Sequence, residues 1–168
     1  MRLPTAISAL FVLAWSFVAA AQTPPATPRL EYVMQLRVTC DTALSVGAGP
    51  RGSRLTIPIT GGSFSGPHIK GDILPGGADF QLHRPETGRT ELEALYNILT
   101  DDGVTIHVRN RGIITGRWPD VYFYTTPVFE APVDSPYAWL NDAIYICRPD
   151  DNGMAGGVVL NVWKVTDP

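Results

Sequence analysis

Between Pro58 and Phe80 the chain reads P-I-T-G-G-S-F-S-G-P-H-I-K-G-D-I-L-P-G-G-A-D-F, with six glycines and three prolines in one run. Glycine permits positive φ and close backbone approach, whereas proline fixes φ and gives no amide donor. Interleaved with Ile59, Phe64, Ile69, Ile73 and Phe80, they exclude a helix. They predict short strands joined by tight corners, near Ser63–Ser65, Ile69–Leu74 and Ala78–Leu82, in a sheet that bends back on itself.

The flanking segments agree. Leu30 to Thr39 alternates apolar Leu30, Tyr32, Met34, Leu36 and Val38 with polar residues, which predicts a half-buried strand. Gly47–Gly52 (G-A-G-P-R-G) matches a dinucleotide fingerprint by letter. No helix follows it, because Pro58 interrupts the next apolar run, so it is read as a turn. Arg54 to Thr60 is a strand with Leu55, Ile57 and Ile59 on one side, and Pro58 turns its missing donor outward or marks a bulge.

Thr90–Thr100 fits a helical stripe as well as a strand, and Thr90 with Glu93 even spells a capping box. The following D-D-G and the clean alternation of Val104–Arg109 decide for a hairpin, with Gly103 left-handed in a three-residue loop. That register sets Ile98 against Ile106 and Tyr96 against Val108, and on the other face Asn97 against His107 and Glu93 against Arg111. Val121–Thr126 and Val128–Ala131 form a strand broken at Pro127. Ser135-Pro136 opens one helical turn, and Ala143–Arg148 and Gly157–Val165 are the last strands. About ten short strands in one domain, residues 30–168, define an all-β barrel or sandwich.

Residues 1–21 have the form of a signal peptide. Arg2 precedes the apolar run Ile7–Ala20, and Ala19 and Ala21 sit at an A-x-A cleavage site. Residues 22–29 read as a Pro-rich tether. The expected address is periplasmic or secreted. Formal charge is −3, becoming −4 when Arg2 leaves with the leader. With no basic run, neither nucleic acid nor an anionic membrane surface is an expected partner once the signal is removed. In an oxidising compartment Cys40 and Cys147 are either one disulfide or two separate thiols. No cofactor or metal is implied: His68, His83 and His107 lack ligand spacing, and G-S-F-S-G at Gly62–Gly66 has Phe64 where a nucleophile elbow needs serine.

The Pro58–Phe80 run, T-D-D-G-V-T-I-H-V-R-N-R-G, Y-F-Y-T-T-P-V-F-E and Y-A-W-L-N, in that order, resemble a bacterial and fungal family known as domain of unknown function family 3237. The likeness covers Leu30–Val165. It implies a closed antiparallel barrel of the calycin kind and no settled activity. Against the family's pattern Phe80 replaces a usual tryptophan, Tyr124 replaces a usual arginine, and the Gly112–Val121 connection is short. If the family's site uses that guanidinium, this chain lacks it.

Barrels of this size commonly hold one small ligand, so the expected partner is a small molecule in the lumen. An acid–base enzyme without cofactor, such as an isomerase, cyclase or lyase, is the other reading. The candidate catalytic groups are Asp79, a carboxylate beside a glycine corner, and Tyr124 with Glu130, a phenol and a carboxylate on one strand. The candidate ligand contacts are Tyr96, His107, Arg109, Arg111, Tyr122, Trp139 and Asn141. Each has a plainer alternative: Asp79 as a turn residue, the arginines as a solvated face paired with Glu93, and the tyrosines as cross-strand packing.

Overall fold

A computed structural model describes residues 24–168 except residue 118; the predicted signal peptide lies outside the described residues. Ten strands follow in order: β1 Arg29–Cys40, β2 Leu44–Gly49, β3 Gly52–Ser65, β4 Lys70–Ile73, β5 Gly77–Arg84, β6 Arg89–Thr100, β7 Thr105–Thr115, β8 Tyr122–Glu130, β9 Tyr145–Pro149 and β10 Gly157–Thr166. A 3-10 turn at Ala138–Asp142 separates β8 from β9. All pairings are antiparallel. Strands β1, β10, β9, β8, β7, β6, β5 and β3 form the circuit, and pairing of β3 with β1 shuts it. The fold is the predicted closed all-β barrel. β4 bridges β3 and β6, while β2 extends β3 beyond the rim.

The central stretch behaves as its composition demands, but as one long strand rather than two. β3 pairs with β5 through its first half and with β1 through its second. The change of partner falls at Gly61 and Gly62, with φ of +139° and +132°. A Cβ on Gly62 would run into the Arg37 carbonyl oxygen, so only glycine lets β1 come this close. Pro58 stands where β1 leaves the ladder. Its carbonyl accepts from Asp41 N–H at 3.0 Å, so the donor it lacks points to the same gap between β1 and β2, where no ladder bond is lost.

The hairpin forms in the predicted register, with Ile98 opposite Ile106, Tyr96 opposite Val108, Asn97 opposite His107 and Glu93 opposite Arg111. Gly103 takes φ +88°. Three expectations change. Residues 44–49 pair with β3 as a strand, and only the residues around Pro50 turn. β1 carries a bulge between Tyr32 and Met34, so Leu30 and Tyr32 are exposed while Val33, Met34, Leu36 and Val38 are buried. β8 runs unbroken through Pro127, on an edge that β9 meets at Thr125 alone.

The two ends of the barrel differ. One is filled by Met34, Leu36, Ile98, Ile106, Val108, Phe129, Tyr145 and Val162, and the 3-10 turn closes it with buried Leu140. That turn begins at Ala138, later than Ser135-Pro136 predicted; Ser135 lies in the preceding bend, its Oγ accepting from Tyr137 N–H. Toward the other end the interior is hollow.

Candidate functional site

The hollow end is a cavity of about 620 Å³. Alternation fixes its lining. Val38 and Cys40 come from β1, Ile57 and Ile59 from β3, and Asp79 and Gln81 from β5. Leu92, Ala94 and Tyr96 come from β6, Asn110 and Ile114 from β7, and Phe123 and Thr125 from β8. Asp41, Thr42 and Ala43, in the β1–β2 connection, stand at the same cavity. Most of the wall is apolar, and among the described residues no lysine or arginine lines it.

Asp79 pairs with Ala94 on one side, and Ala94 with Asn110 on the other, so the two polar side chains flank a residue too small to fill the space between them. Tyr96 lies two residues along β6 on the same face, at the floor. Thr125 sits opposite Gly112, one row from Asn110. Asp79 Oδ1, Tyr96 Oη and Asn110 Oδ1 are cut off from bulk solvent without a hydrogen-bond partner, and Thr125 Oγ1 is cut off likewise with only the weakly accepting Cys147 thiol beside it. Among the described residues these are the buried side-chain atoms left so, and every one belongs to a residue lining this cavity. An unpaired buried polar group costs about 1–3 kcal/mol. Such a cluster in one apolar chamber is the mark of a site that waits for polar groups of a guest.

Burial shifts the titrating groups here. It raises the Asp79 carboxyl above the usual aspartate value, against the hydrogen bond at 2.7 Å that Gln81 Nε2 donates to Oδ2. The Tyr96 phenol is raised by burial and then by the neighbouring Cys147 and Asp79, so it stays a neutral donor. Burial raises the Cys40 thiol, with the Asp79 charge adding to it. Cys147, fully buried behind the lining, is pushed up to about 12. The two cysteines are separate thiols, not a disulfide.

Of the residues singled out from sequence, Asp79 and Tyr96 meet in the cavity. Tyr124 and Glu130 do not join them. Phe123, Thr125, Pro127 and Phe129 are the residues of β8 that turn inward, which puts Tyr122, Tyr124 and Glu130 on the outer face. The phenol and carboxylate expected to converge with a ligand therefore lie across the sheet from it. Tyr122 and Tyr124 pack on each other, ring centroids 5.0 Å apart.

His107, Arg109 and Arg111 alternate with inward Ile106, Val108 and Asn110, so they too face out. His107 Nδ1 lies 2.9 Å from Asn97 Oδ1, and Arg109 Nε and Arg111 Nε each donate to Glu93 Oε1 at 2.9 Å. These two ion pairs hold the Glu93 carboxyl below its ordinary range. Arg111 also borders an outer groove of about 390 Å³ with Arg54, Phe80, Leu82, Arg84 and Glu91. Leu82 there is only 4 % exposed. Trp139 packs on the core at the closed end. Asn141 there brackets Ala131, its Oδ1 accepting from Ala131 N–H at 2.8 Å and its Nδ2 donating to Ala131 O at 3.0 Å. Both are structural parts of the plug.

Asn110 and Thr125 were not foreseen. Asn110 had a signal, an amide in the otherwise apolar inward row Ile106, Val108, Asn110 of a hairpin whose register was readable. Thr125 had none, because both faces of β8 carry aromatic residues.

A family model described as "Protein of unknown function (DUF3237)" matches residues 28–165. The chain belongs to this family. A UPF0311 protein of Clostridium acetobutylicum is 36% identical over 151 residues, covering 81% of this chain and 93% of the relative. The crystal structure of a conserved protein of unknown function from Rhodopseudomonas palustris superposes with a TM-score of 0.75 at 35% identity, covering 84% of this chain and 99% of that one. A β-barrel-like protein from Acinetobacter baumannii superposes with a TM-score of 0.76 at 28% identity, covering 86% and 100%. Phe80 and Tyr124, the two positions at which the resemblance implied a departure, both lie on the outer wall.

Proposed function

We propose that this chain is an exported protein whose barrel lumen binds one small, neutral, mostly apolar molecule carrying two or more oxygen functions. The observation that carries the reading is the gathering of three unpartnered polar atoms and the Thr125 hydroxyl in one apolar chamber. A volume of about 620 Å³ suits a compact organic molecule. The lining disfavours an anion, which would meet the Asp79 carboxyl with no cation to balance it, and burial that favours the neutral form of Asp79 weakens its hold on a cation. Tyr96 and Thr125 hydroxyls can donate or accept, and the Asn110 amide can serve either way on rotation. Export rests on the leader, Arg2 followed by Ile7–Ala20 and the Ala19-x-Ala21 site.

The test is expression of the full chain in a Gram-negative host, followed by periplasmic extraction, intact-mass analysis and native mass spectrometry. A mature N-terminus at Gln22 and a small neutral adduct, released into organic solvent, are expected. Retention of the leader in a cytoplasmic product would overturn export. Binding falls if no adduct is found and no neutral ketone, phenol or terpenoid alcohol from a panel shifts the protein's melting temperature.

A further inference from the structure

We propose that the chamber is also a catalytic site, in which Asp79 moves a proton between carbon positions of a neutral ketone while Tyr96 and Thr125 hold the ketone oxygen. The inference rests on the binding reading above and adds a reaction to it. Its basis is the placing of one carboxylate against hydroxyl donors in a chamber without cations.

Asp79 Oδ2 is held by Gln81 Nε2, whereas Oδ1 is buried without a partner, so a rotation of the carboxyl is what brings that oxygen to a substrate. Tyr96 stands on the neighbouring strand, diagonal to Asp79, and diagonal side chains in a sheet are about 7–8 Å apart. That gap admits a carbonyl oxygen at one side and its α-carbon at the other. Thr125, from β8, reaches the chamber from across the barrel wall.

The step balances within the substrate and Asp79. Asp79 Oδ1 takes a proton from the carbon next to the carbonyl. That C–H pair becomes the carbon–carbon double bond of an enolate, and the carbonyl π pair moves to oxygen. The oxygen is stabilised by hydrogen bonds donated by the Tyr96 and Thr125 hydroxyls. Asp79 then returns the proton to the same carbon or to the far end of a conjugated system, and the carbonyl re-forms. No oxidant, reductant or second substrate enters. Burial that raises Asp79 also makes it a stronger base than a surface aspartate, which suits this work.

The probes are cyclohex-3-en-1-one and 2-tetralone, both neutral, compact and mostly apolar. Binding to the purified mature protein is followed by saturation-transfer NMR. Turnover is followed as formation of the conjugated enone from the first, and as α-deuterium uptake in heavy water by both. The wild type is expected to exceed buffer. Asp79→Asn, nearly isosteric, should lose about 10²–10⁴-fold in rate while still binding, and Tyr96→Phe should lose rate with its melting temperature kept or raised. The wild-type rate should climb along one ionisation above the ordinary aspartate range. The titratable groups facing Asp79 are Cys40, Tyr96 and Asp41 at the mouth, and the first two have raised values, so neither ionises there. Binding without exchange above buffer, or exchange that survives Asp79→Asn, would overturn the catalytic inference and leave the binding reading standing. Failure of the wild type to bind either ketone would overturn the catalytic inference, while the binding reading is decided by the adduct and the ligand panel above.

Discussion

Tyr96→Phe is expected to make the ligand-free protein more stable. The phenol is 4 % exposed and its oxygen has no partner. A hydroxyl in that position costs about 1–3 kcal/mol relative to one that is hydrogen-bonded. Phenylalanine keeps the ring and its contacts with the core. The space left by the oxygen opens onto a chamber that is already hollow, so it adds little new cavity surface. The net gain should be roughly 1 kcal/mol and at most about 2, which corresponds to about 2–4 °C in melting temperature per kcal/mol for a domain near this size. Urea titration monitored by circular dichroism should show a higher midpoint at unchanged slope. The same variant should show a smaller melting shift with any ligand that stabilises the wild type. A loss of 1 kcal/mol or more in the ligand-free protein would mean that the hydroxyl already has a partner. The case for a vacant polar cluster would then fail.

Asp79→Asn should flatten the dependence of stability on pH. A carboxyl whose folded value is raised contributes stability fully present below the unfolded value near 3.8, and that contribution is lost as pH rises through the folded value. The variant should therefore gain on the wild type from about pH 4 upward, and parallel curves would show that burial does not act on Asp79. Glu93→Gln should cost no more than about 1 kcal/mol, because its pairs with Arg109 and Arg111 are solvent-exposed, and ligand-induced melting shifts should not change; an altered shift would return the arginines to the site. Gly112→Ala should destabilise by about 1–3 kcal/mol, since the new Cβ would strike Thr125 Cγ2 and the Tyr124 carbonyl oxygen between β7 and β8. A neutral result in chemical denaturation would show that these strands can spread.

The parts of this molecule that could be read from its residues are those where two independent patterns coincide. In the β6–β7 hairpin, a glycine loop and apolar pairing select one register. That register also put Arg109 and Arg111 on the other face of β7 from the inward Val108, so their outward direction was already implied. Asp79 was legible because it stands in a segment whose glycines force the wall to curve. Elsewhere one pattern stood alone. Along β8, tyrosines on one face and phenylalanines on the other satisfy alternation in either phase, and the phase is set by contacts with Val108 and Cys147 that are remote in sequence. The bulge in β1 exchanges faces between Tyr32 and Met34 without a glycine or proline to announce it. Trp139 and Asn141 follow a loop whose course depends on which end of the barrel is already full.

Strand β1 is held on one flank by β3 and on the other by β10, the last strand of the chain. The first described strand must therefore wait, half-clothed, for the tenth. Long-range pairings of this kind slow folding and leave sticky intermediates exposed meanwhile. Losing the final ten or so residues would not merely trim a tail; it would leave the cylinder unzipped along its seam, and the chamber would have no wall behind Val38 and Cys40.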